Sequence, residues 1–514
     1  MTKKQIFVNL IVFVLCFSSA LVMFGAYWVV KSFGATDFAQ ILFHLRFPLL
    51  DSSTPLVGSF IAKVLLPSLA VATLVAFTQP CVKICVKFAK FFYQTIMLKF
   101  FYDFVLSNNA KIAKITFAVA LFALFLNITN NKLKITRYLN TQESYSTLYE
   151  EQYAHFDKQA LANFAPKQNL IVIFAESLEA TFSTVSTPKN GGGGGLNTPF
   201  GELIPNLTNL ALKNTNFSST ETLGGFTQAF GTGWTIAGLV SQMCGIALNM
   251  PIESNAFANN KHFLSSATCV SDILQGLDYT QIYFSGMNAD FAGTKFFFES
   301  HGVEVRDLAY FQAQKLIPKK LPKELKGFWD LKDTKVFELA KEYLSGLDEN
   351  KPFALYISTI DTHAPSGWVD TTLCQGGASY QSAILCADKI ISDFVNFVQT
   401  SKFKDNTTIV ILGDHLSMAQ EFFPPQANRA IYNAFINAKF TRPATTQVIK
   451  NRILSHFDIA PLILDAVGVK TLAFGLGRNP LYQQTLLEST FSLDEFNEKL
   501  SQRNRLYDSF WNVK

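Results

Sequence analysis

Charge is scarce in this 514-residue sequence: Asp, Glu, Lys and Arg make up 16% of it, against 49% hydrophobic residues, and the mean hydropathy is +0.18. So apolar a composition excludes a purely soluble protein and calls for a membrane portion. After about residue 130 no basic face interleaved with stacking aromatics recurs, so nucleic acid is excluded as a partner despite the net charge of +5. The glycine run Asn190 to Asn197 (NGGGGGLN) lacks a following Lys-Ser or Lys-Thr. Without those groups it reads as a flexible loop, not a nucleotide cradle.

Where charge is absent altogether, membrane spans are expected. Gln5 to Val30 carries none, and roughly 25 apolar residues cross a ~30 Å hydrocarbon core. That run is too long for a signal-peptide core. Two more spans are expected at 55–79, broken only by Lys63, and at 112–129, whose uncharged part is Ile115 to Thr129. Between them Lys83, Lys87, Lys90, Lys99, Lys111 and Lys114 face only Asp103, and Lys3 and Lys4 precede the first span. Positive loops stay in the cytoplasm, so the N-terminus is expected inside and everything after about residue 130 outside, against a smaller cluster of Lys132, Lys134 and Arg137. Residues 37–53 read as a re-entrant or interfacial segment.

Cysteine is also sparse, seven in all. Cys16, Cys81 and Cys85 fall in or beside spans. Cys244, Cys269, Cys374 and Cys386 fall in the outer part, an even number in an oxidising space. Short loops favour Cys244 with Cys269 and Cys374 with Cys386, although three connectivities are open and buried free thiols are the alternative.

After a polar stretch from Thr141 to Phe156, read as part of a juxtamembrane linker (131–165), short apolar runs alternate with helical segments. Strands are expected at Asn169 to Ala175, Tyr279 to Ser285, Pro352 to Thr359 and Thr407 to Gly413. Helices are expected at Val270 to Asp278, Thr334 to Leu347 and Ser379 to Gln399. Unbroken apolar runs of this length suit strands covered on both faces, hence a mostly parallel sheet between helices.

Ligands of such sheets collect outside the carboxyl ends of the strands. There the first strand delivers Glu176, the third Asp361 and His363, and the fourth Asp414 and His415. Carboxylates and an imidazole on one edge make an oxygen-rich site for one divalent ion, Mn²⁺ foremost, with Mg²⁺ or Zn²⁺ as alternatives. Thr235 follows the glycine turn of "GTGWTIAGLV" at the start of a helix. It is a helix-capping residue on one reading and, beside a metal, a phosphoryl-accepting nucleophile on the other. Gly231 and Gly233 would admit an anionic phosphate close to the backbone. Asp361 and Glu179 read as supporting or capping groups.

The blocks "IVIFAESLE", "GTGWTIAGLVSQMCGI", "TIDTHAP", "VILGDHLSM" and "HFDIAPLILDAVGV" together resemble the alkaline-phosphatase/sulfatase superfamily. Within it the chain resembles membrane phosphoglycerol transferases, of the lipoteichoic acid synthase and periplasmic-glucan types. "FAGTKFFFESHG" and "FGLGRNPL" bring it nearer the glucan type. The resemblance implies an N-terminal α-helical transmembrane region (1–130) followed by an extracytoplasmic α/β sulfatase-like domain (166–514) in a bacterial inner membrane. It implies Glu176, Asp414, His415 and Thr235 as metal ligands, Thr235 as nucleophile and His363 as the phosphate-binding or proton-shuttling group. The tryptophan and arginine of lipoteichoic acid synthases are missing from "NADFAGTKFFF". Lys295 is the nearest cation there, and Trp234, Lys295 and His301 join His363 as candidate substrate contacts. The implied reaction moves phosphoglycerol from phosphatidylglycerol to a glycan hydroxyl through phospho-threonine. Phosphoethanolamine transfer to lipid A or a glycan, or a catalytically silent scaffold, are the alternatives. A sulfatase proper is disfavoured, because no Cys/Ser-x-Pro-x-Arg surrounds Thr235.

Overall fold

The computed structural model describes residues 3–33, 38, 40–42, 54–77, 108–156, 168–186, 201–249, 262–419, 422–424 and 427–512. Two compact units divide the chain, Met1–Phe38 with Asp51–Leu139, and Ala39–Leu50 with Asn140–Lys514. Lys83, Lys87, Lys90, Lys99, Cys81, Cys85, the glycine run 190–197 and most of 37–53 lie outside the described residues.

The first unit contains three helices long and apolar enough to cross a membrane, over Gln5–Ser32, Val57–Ala76 and Lys114–Leu133. They lie within or beside α1 (Lys3–Phe33), α2 (Leu66–Ala76) and α3 (Asn108–Leu133). The second span is irregular: a π-helical turn, Ile61–Leu65, precedes α2. Pro67 accounts for it, since its ring would clash with the carbonyl four residues back and it has no N–H to give. Val12, Cys16, Ala72, Ala76 and Ala118 form the small buried contact between the helices. Ile6, Phe7, Leu10, Leu74, Phe117 and Leu124 point outward, as a surface solvated by lipid tails requires.

The second unit is built on a six-stranded sheet ordered β3-β2-β4-β1-β5-β6. Its strands are β1 (Asn169–Ala175), β2 (Thr280–Ser285), β3 (Glu304–Arg306), β4 (Phe353–Ser358), β5 (Thr407–Gly413) and β6 (Asn433–Ile436). All neighbours are parallel except β5 and β6. The strand period of two explains why the runs are unbroken. Leu170, Val172 and Phe174 of β1 enter one apolar core, while Ile171, Ile173 and Ala175 enter the other. On the first face lie α5 (Thr235–Cys244), α6 (Val270–Gln275) and α10 (Ile459–Ala466). On the second lie α4 (Pro205–Lys213), α8 (Asp333–Ser345) and α9 (Tyr380–Thr400). A further helix, α7 (Thr294–Ser300), precedes β3.

The stretch expected as a linker does not end at residue 165. From Asn140 it belongs to the second unit, because Tyr149 is buried in the first core and its hydroxyl accepts from Ala247 N at 3.1 Å. Both disulfides are present, Cys244–Cys269 and Cys374–Cys386.

Candidate active site

Register builds the site. Ala175, the last residue of β1, pairs in parallel with Gly413, the last of β5, so Glu176 and Asp414 leave the sheet side by side. The chain then turns sharply at Ser177, whose φ is +56°. That turn aims Ser177 N at Asp414 Oδ1 (2.8 Å) and its hydroxyl at Glu176 Oε1 (2.7 Å). Gly413 permits the crossing, since a Cβ there would sit 1.9 Å from the Leu178 carbonyl oxygen. The loop after β4 closes the third side: Glu176 N donates to Thr359 Oγ1 (2.9 Å) and Thr362 Oγ1 donates to the Glu176 carbonyl (2.5 Å).

Thr235 is the first residue of α5, and Trp234 holds the N-cap position with extended backbone. The capping reading of Thr235 therefore fails by one residue. Its hydroxyl instead donates to Glu176 Oε2 at 3.4 Å. Every other residue of α5 is buried, so Thr235 is the one point at which this helix reaches an accessible surface. Gly238, one turn on, lets the helix lie against the Asp414 backbone.

Glu176, Asp414 and His415 have side-chain donor atoms within 4.8 Å of one another, and all three are buried. The His415 Nε2 atom stands 3.6 Å from both Glu176 Oε1 and Asp414 Oδ2. The Leu416 carbonyl, which can only accept, takes the Nδ1 proton at 2.8 Å. Neutral His415 therefore keeps a lone pair on Nε2, and that buried atom has no hydrogen-bond partner among the described residues. A desolvated, unmatched lone pair costs about 1–3 kcal/mol. A cation would remove that cost and the repulsion between the carboxylates. Burial, with Glu176 adding to it and His415 opposing, pushes Asp414 up to about 7. Burial alone would lower His415, but Asp414 and Glu176 raise it above its ordinary value. Two carboxylates, an imidazole and a hydroxyl are a donor set that fits a divalent ion of the Mn²⁺, Mg²⁺ or Zn²⁺ type.

His363 is buried in the loop after β4, its Nδ1 proton given to the Ala364 carbonyl at 2.7 Å. Burial, with repulsion from His415, drops its pKa to about 4, so it is neutral at pH 7 with a free Nε2 lone pair. Asp361 is not a ligand: its two oxygens accept from Phe328 N and Asp333 N, each at 2.8 Å. Glu179 accepts from Ser417 N at 2.8 Å and pairs with Arg429, bracing the loops after β1 and β5.

The sulfatase family profile matches residues 168–469, more than half of the chain. The chain belongs to the sulfatase family. Phosphoglycerol transferase I of Salmonella choleraesuis (strain SC-B67) is 30% identical over 338 residues, covering 64% of this chain and 41% of that protein. The chain thus matches less than half the length of that relative. Among solved structures, lipoteichoic acid synthase LtaP from Listeria monocytogenes is 16% identical with a TM-score of 0.46, covering 62% of this chain and 76% of that one. Lipooligosaccharide phosphoethanolamine transferase A from Neisseria meningitidis is 13% identical with a TM-score of 0.47, over 89% and 84%.

Two expected substrate contacts of this sulfatase-family chain, His301 and Trp234, are buried. His301 is 1% exposed, with Nδ1 on Asp272 (2.8 Å) and Nε2 3.7 Å from the Cys269 sulfur of the Cys244–Cys269 disulfide, so the ring is enclosed beside that bridge and presents almost no surface to a substrate. Trp234 is buried in the first core as the N-cap of α5. Lys295 is half-buried near the start of α7, with no ion pair recorded among the described residues.

Two groups escaped sequence reasoning. His456 Nε2 donates to the Asp414 carbonyl (3.0 Å) and Nδ1 contacts Thr232 Oγ1 (2.9 Å), joining the turn before Thr235 to the loop after β5. Burial holds it near 3, hence neutral. Trp329 and Phe328 lie against the His363 ring, centroids 4.5 and 5.1 Å away. Neither has a spacing signature; the only clue to His456 was its place in a block shared with the family.

Proposed function

We propose that this protein is a membrane-anchored, metal-dependent phosphotransferase that moves phosphoglycerol from phosphatidylglycerol to an extracytoplasmic glycan hydroxyl. One observation carries the reading. The Thr235 hydroxyl, at the half-buried end of an otherwise buried helix, points at the Glu176 carboxylate beside Asp414 and His415. The 30% identity to phosphoglycerol transferase I supports the choice of head group. The lysine bias of the N-terminal third supports an outward-facing domain in a multi-pass inner-membrane protein.

Glu176, Asp414, His415 and Thr235 would hold the ion, which when bound would offset phosphoryl charge and ease loss of the threonine proton. Glu176 orients the Thr235 hydroxyl by accepting its hydrogen bond. Thr235 Oγ1 forms a bond to phosphorus as the bond from phosphorus to the diacylglycerol oxygen breaks, and the leaving oxygen takes up the proton released by Thr235, so diacylglycerol departs as the alcohol. The macrodipole of α5 favours the anion at that end. In the second step His363 Nε2 takes the proton of the acceptor hydroxyl, whose oxygen displaces Thr235 from phosphorus, and that proton passes on to the freed threonine oxygen, restoring the hydroxyl and the neutral imidazole.

The test is head-group release from labelled phosphatidylglycerol and phosphatidylethanolamine by the purified full-length protein, with and without Mn²⁺. Metal-dependent diacylglycerol release from phosphatidylglycerol is expected, falling at least a thousandfold in Thr235→Ala. Full release by that variant would refute the nucleophile, and preference for phosphatidylethanolamine would refute the head group.

A further inference from the structure

Beside the site runs a row of aromatic rings that the transfer chemistry does not use. Phe291 packs on Trp329 with centroids 5.4 Å apart, Trp329 on His363 at 4.5 Å, and Phe328 on Trp329 at 5.6 Å. All three aromatic side chains are half-buried and keep accessible surface, whereas His363 beside them is buried.

The row is also held in place. Phe328 and Trp329 form the tip of a turn in which Gly327 N donates to the Asp330 carbonyl (2.8 Å) and Lys326 bridges to Leu331. Asp361 straps both ends of that turn through Phe328 N and Asp333 N. Asp333 returns the grip, accepting from Ile360 N (2.9 Å) and Asp361 N (3.0 Å). No side chain fits at Gly327, where a Cβ would lie 2.3 Å from Asp361 Oδ1. Outside this clasp the Lys332 ammonium pairs with Asp370 at 2.8 Å. The loop bearing His363 and the turn bearing Trp329 are therefore one preorganised piece, so a ligand settling on the rings pays little ordering entropy.

A rigid apolar surface whose rings tilt by 43–57° from one to the next, beside a lone pair that can accept a hydroxyl proton, suits one ligand class. Pyranose rings present C–H groups on a face and hydroxyls on the rim, so a stacked sugar buries its face on that surface while a rim hydroxyl reaches the imidazole. A short, ringless glycerol head group has no face to match three rings. We infer that Trp329 and Phe328, continued by Phe291, form the sugar-stacking subsite that seats the acceptor glycan and delivers its hydroxyl to His363. This rests on the proposed transfer reaction.

Two measurements on full-length protein in nanodiscs test it. Calorimetric titration of Thr235→Ala with a β-linked glucohexaose should show binding that Trp329→Ala weakens at least tenfold and Trp329→Phe less than threefold. With Thr235 intact, Trp329→Ala should lower the ratio of transfer to glucohexaose over transfer to water at least tenfold, chiefly through a higher KM for the sugar. Unchanged affinity in Trp329→Ala, or equal falls in sugar and water transfer, would overturn the subsite. Protein that binds glucohexaose through Trp329 but releases no diacylglycerol would overturn the reaction and leave the subsite standing.

Discussion

Replacing Gly238 by alanine should cost this protein the proposed transferase activity, although Gly238 is buried and carries no functional group. In a helix interior alanine is favoured over glycine by about 1 kcal/mol, so propensity alone makes Gly238→Ala stabilising. Packing opposes it. A Cβ at Gly238 would stand 2.1 Å from the Asp414 carbonyl oxygen and 2.8 Å from its carbonyl carbon, roughly 1 Å short of van der Waals contact. Backbone lies on both sides, so no rotamer change relieves the overlap, and either α5 or the Asp414 loop must retreat by about that distance. The same carbonyl accepts from His456 Nε2 and from Gln242 Nε2 (3.3 Å), and Asp414 Oδ1 holds Ser177 and His415. A 1 Å displacement of one reacting group costs on the order of a hundredfold in rate. Gly238→Ala should therefore lower diacylglycerol release about a hundredfold and weaken Mn²⁺ binding, measured by enzyme assay and by metal titration of the thermal midpoint. Wild-type turnover in a variant made more stable by alanine would refute the close approach.

Asp414 gives a pH test. Its folded pKa, about 7, lies above the ordinary carboxylate value, so the contribution of Asp414 to the stability of the ion-free protein is fully present below about pH 4 and is lost as pH rises through about 7. In chelator the thermal midpoint should fall over that window and Mn²⁺ should reduce the slope, leaving the part due to Asp361 and Asp458, whose buried carboxyls are raised to about 7 and about 6; a slope unchanged by Mn²⁺ would count against it. His456→Ala should weaken metal binding about 10–100-fold while leaving the ligands in place, as loss of a supporting hydrogen bond does; unaltered affinity would reduce His456 to a core residue. Reducing the Cys244–Cys269 bridge, which spans 25 residues and ties α5 to α6, should cost about 2–4 kcal/mol by denaturant unfolding. No loss on reduction would mean that His301 and the core hold that corner alone.

Much of the site was legible because it obeys the strand-end rule. Glu176 and Asp414 each follow the last residue of a central strand, and a run such as NLIVIFA is visible without any partner. The edges were harder. Strand β3 has three residues and β6 four, and β6 runs antiparallel, so neither offers a long apolar run. Tyr149 and its neighbours read as a polar linker because their burial depends on Ala247 and Tyr507, distant in sequence. His301 misled for the opposite reason: a histidine in a motif-like segment looks functional until its partners, Asp272 and a disulfide sulfur, are placed beside it. His456 acts through a backbone carbonyl, a partner that no residue pattern encodes.

The residues of the candidate metal site lie far apart along the chain, and this bears on how the protein is made. Ser177 and Asp414 are 237 residues apart, and Thr235 and Glu176 are 59 apart. Central strand β1 pairs with β4 and β5, both far downstream, so the edge between Glu176 and Asp414 does not exist until Gly413 has left the ribosome. A nascent chain halted earlier would expose a lone glutamate and a threonine with no ion-holding partner. Pairings of this span close slowly, so the candidate metal site would be completed only in the last stage of folding, and truncated chains would lack it.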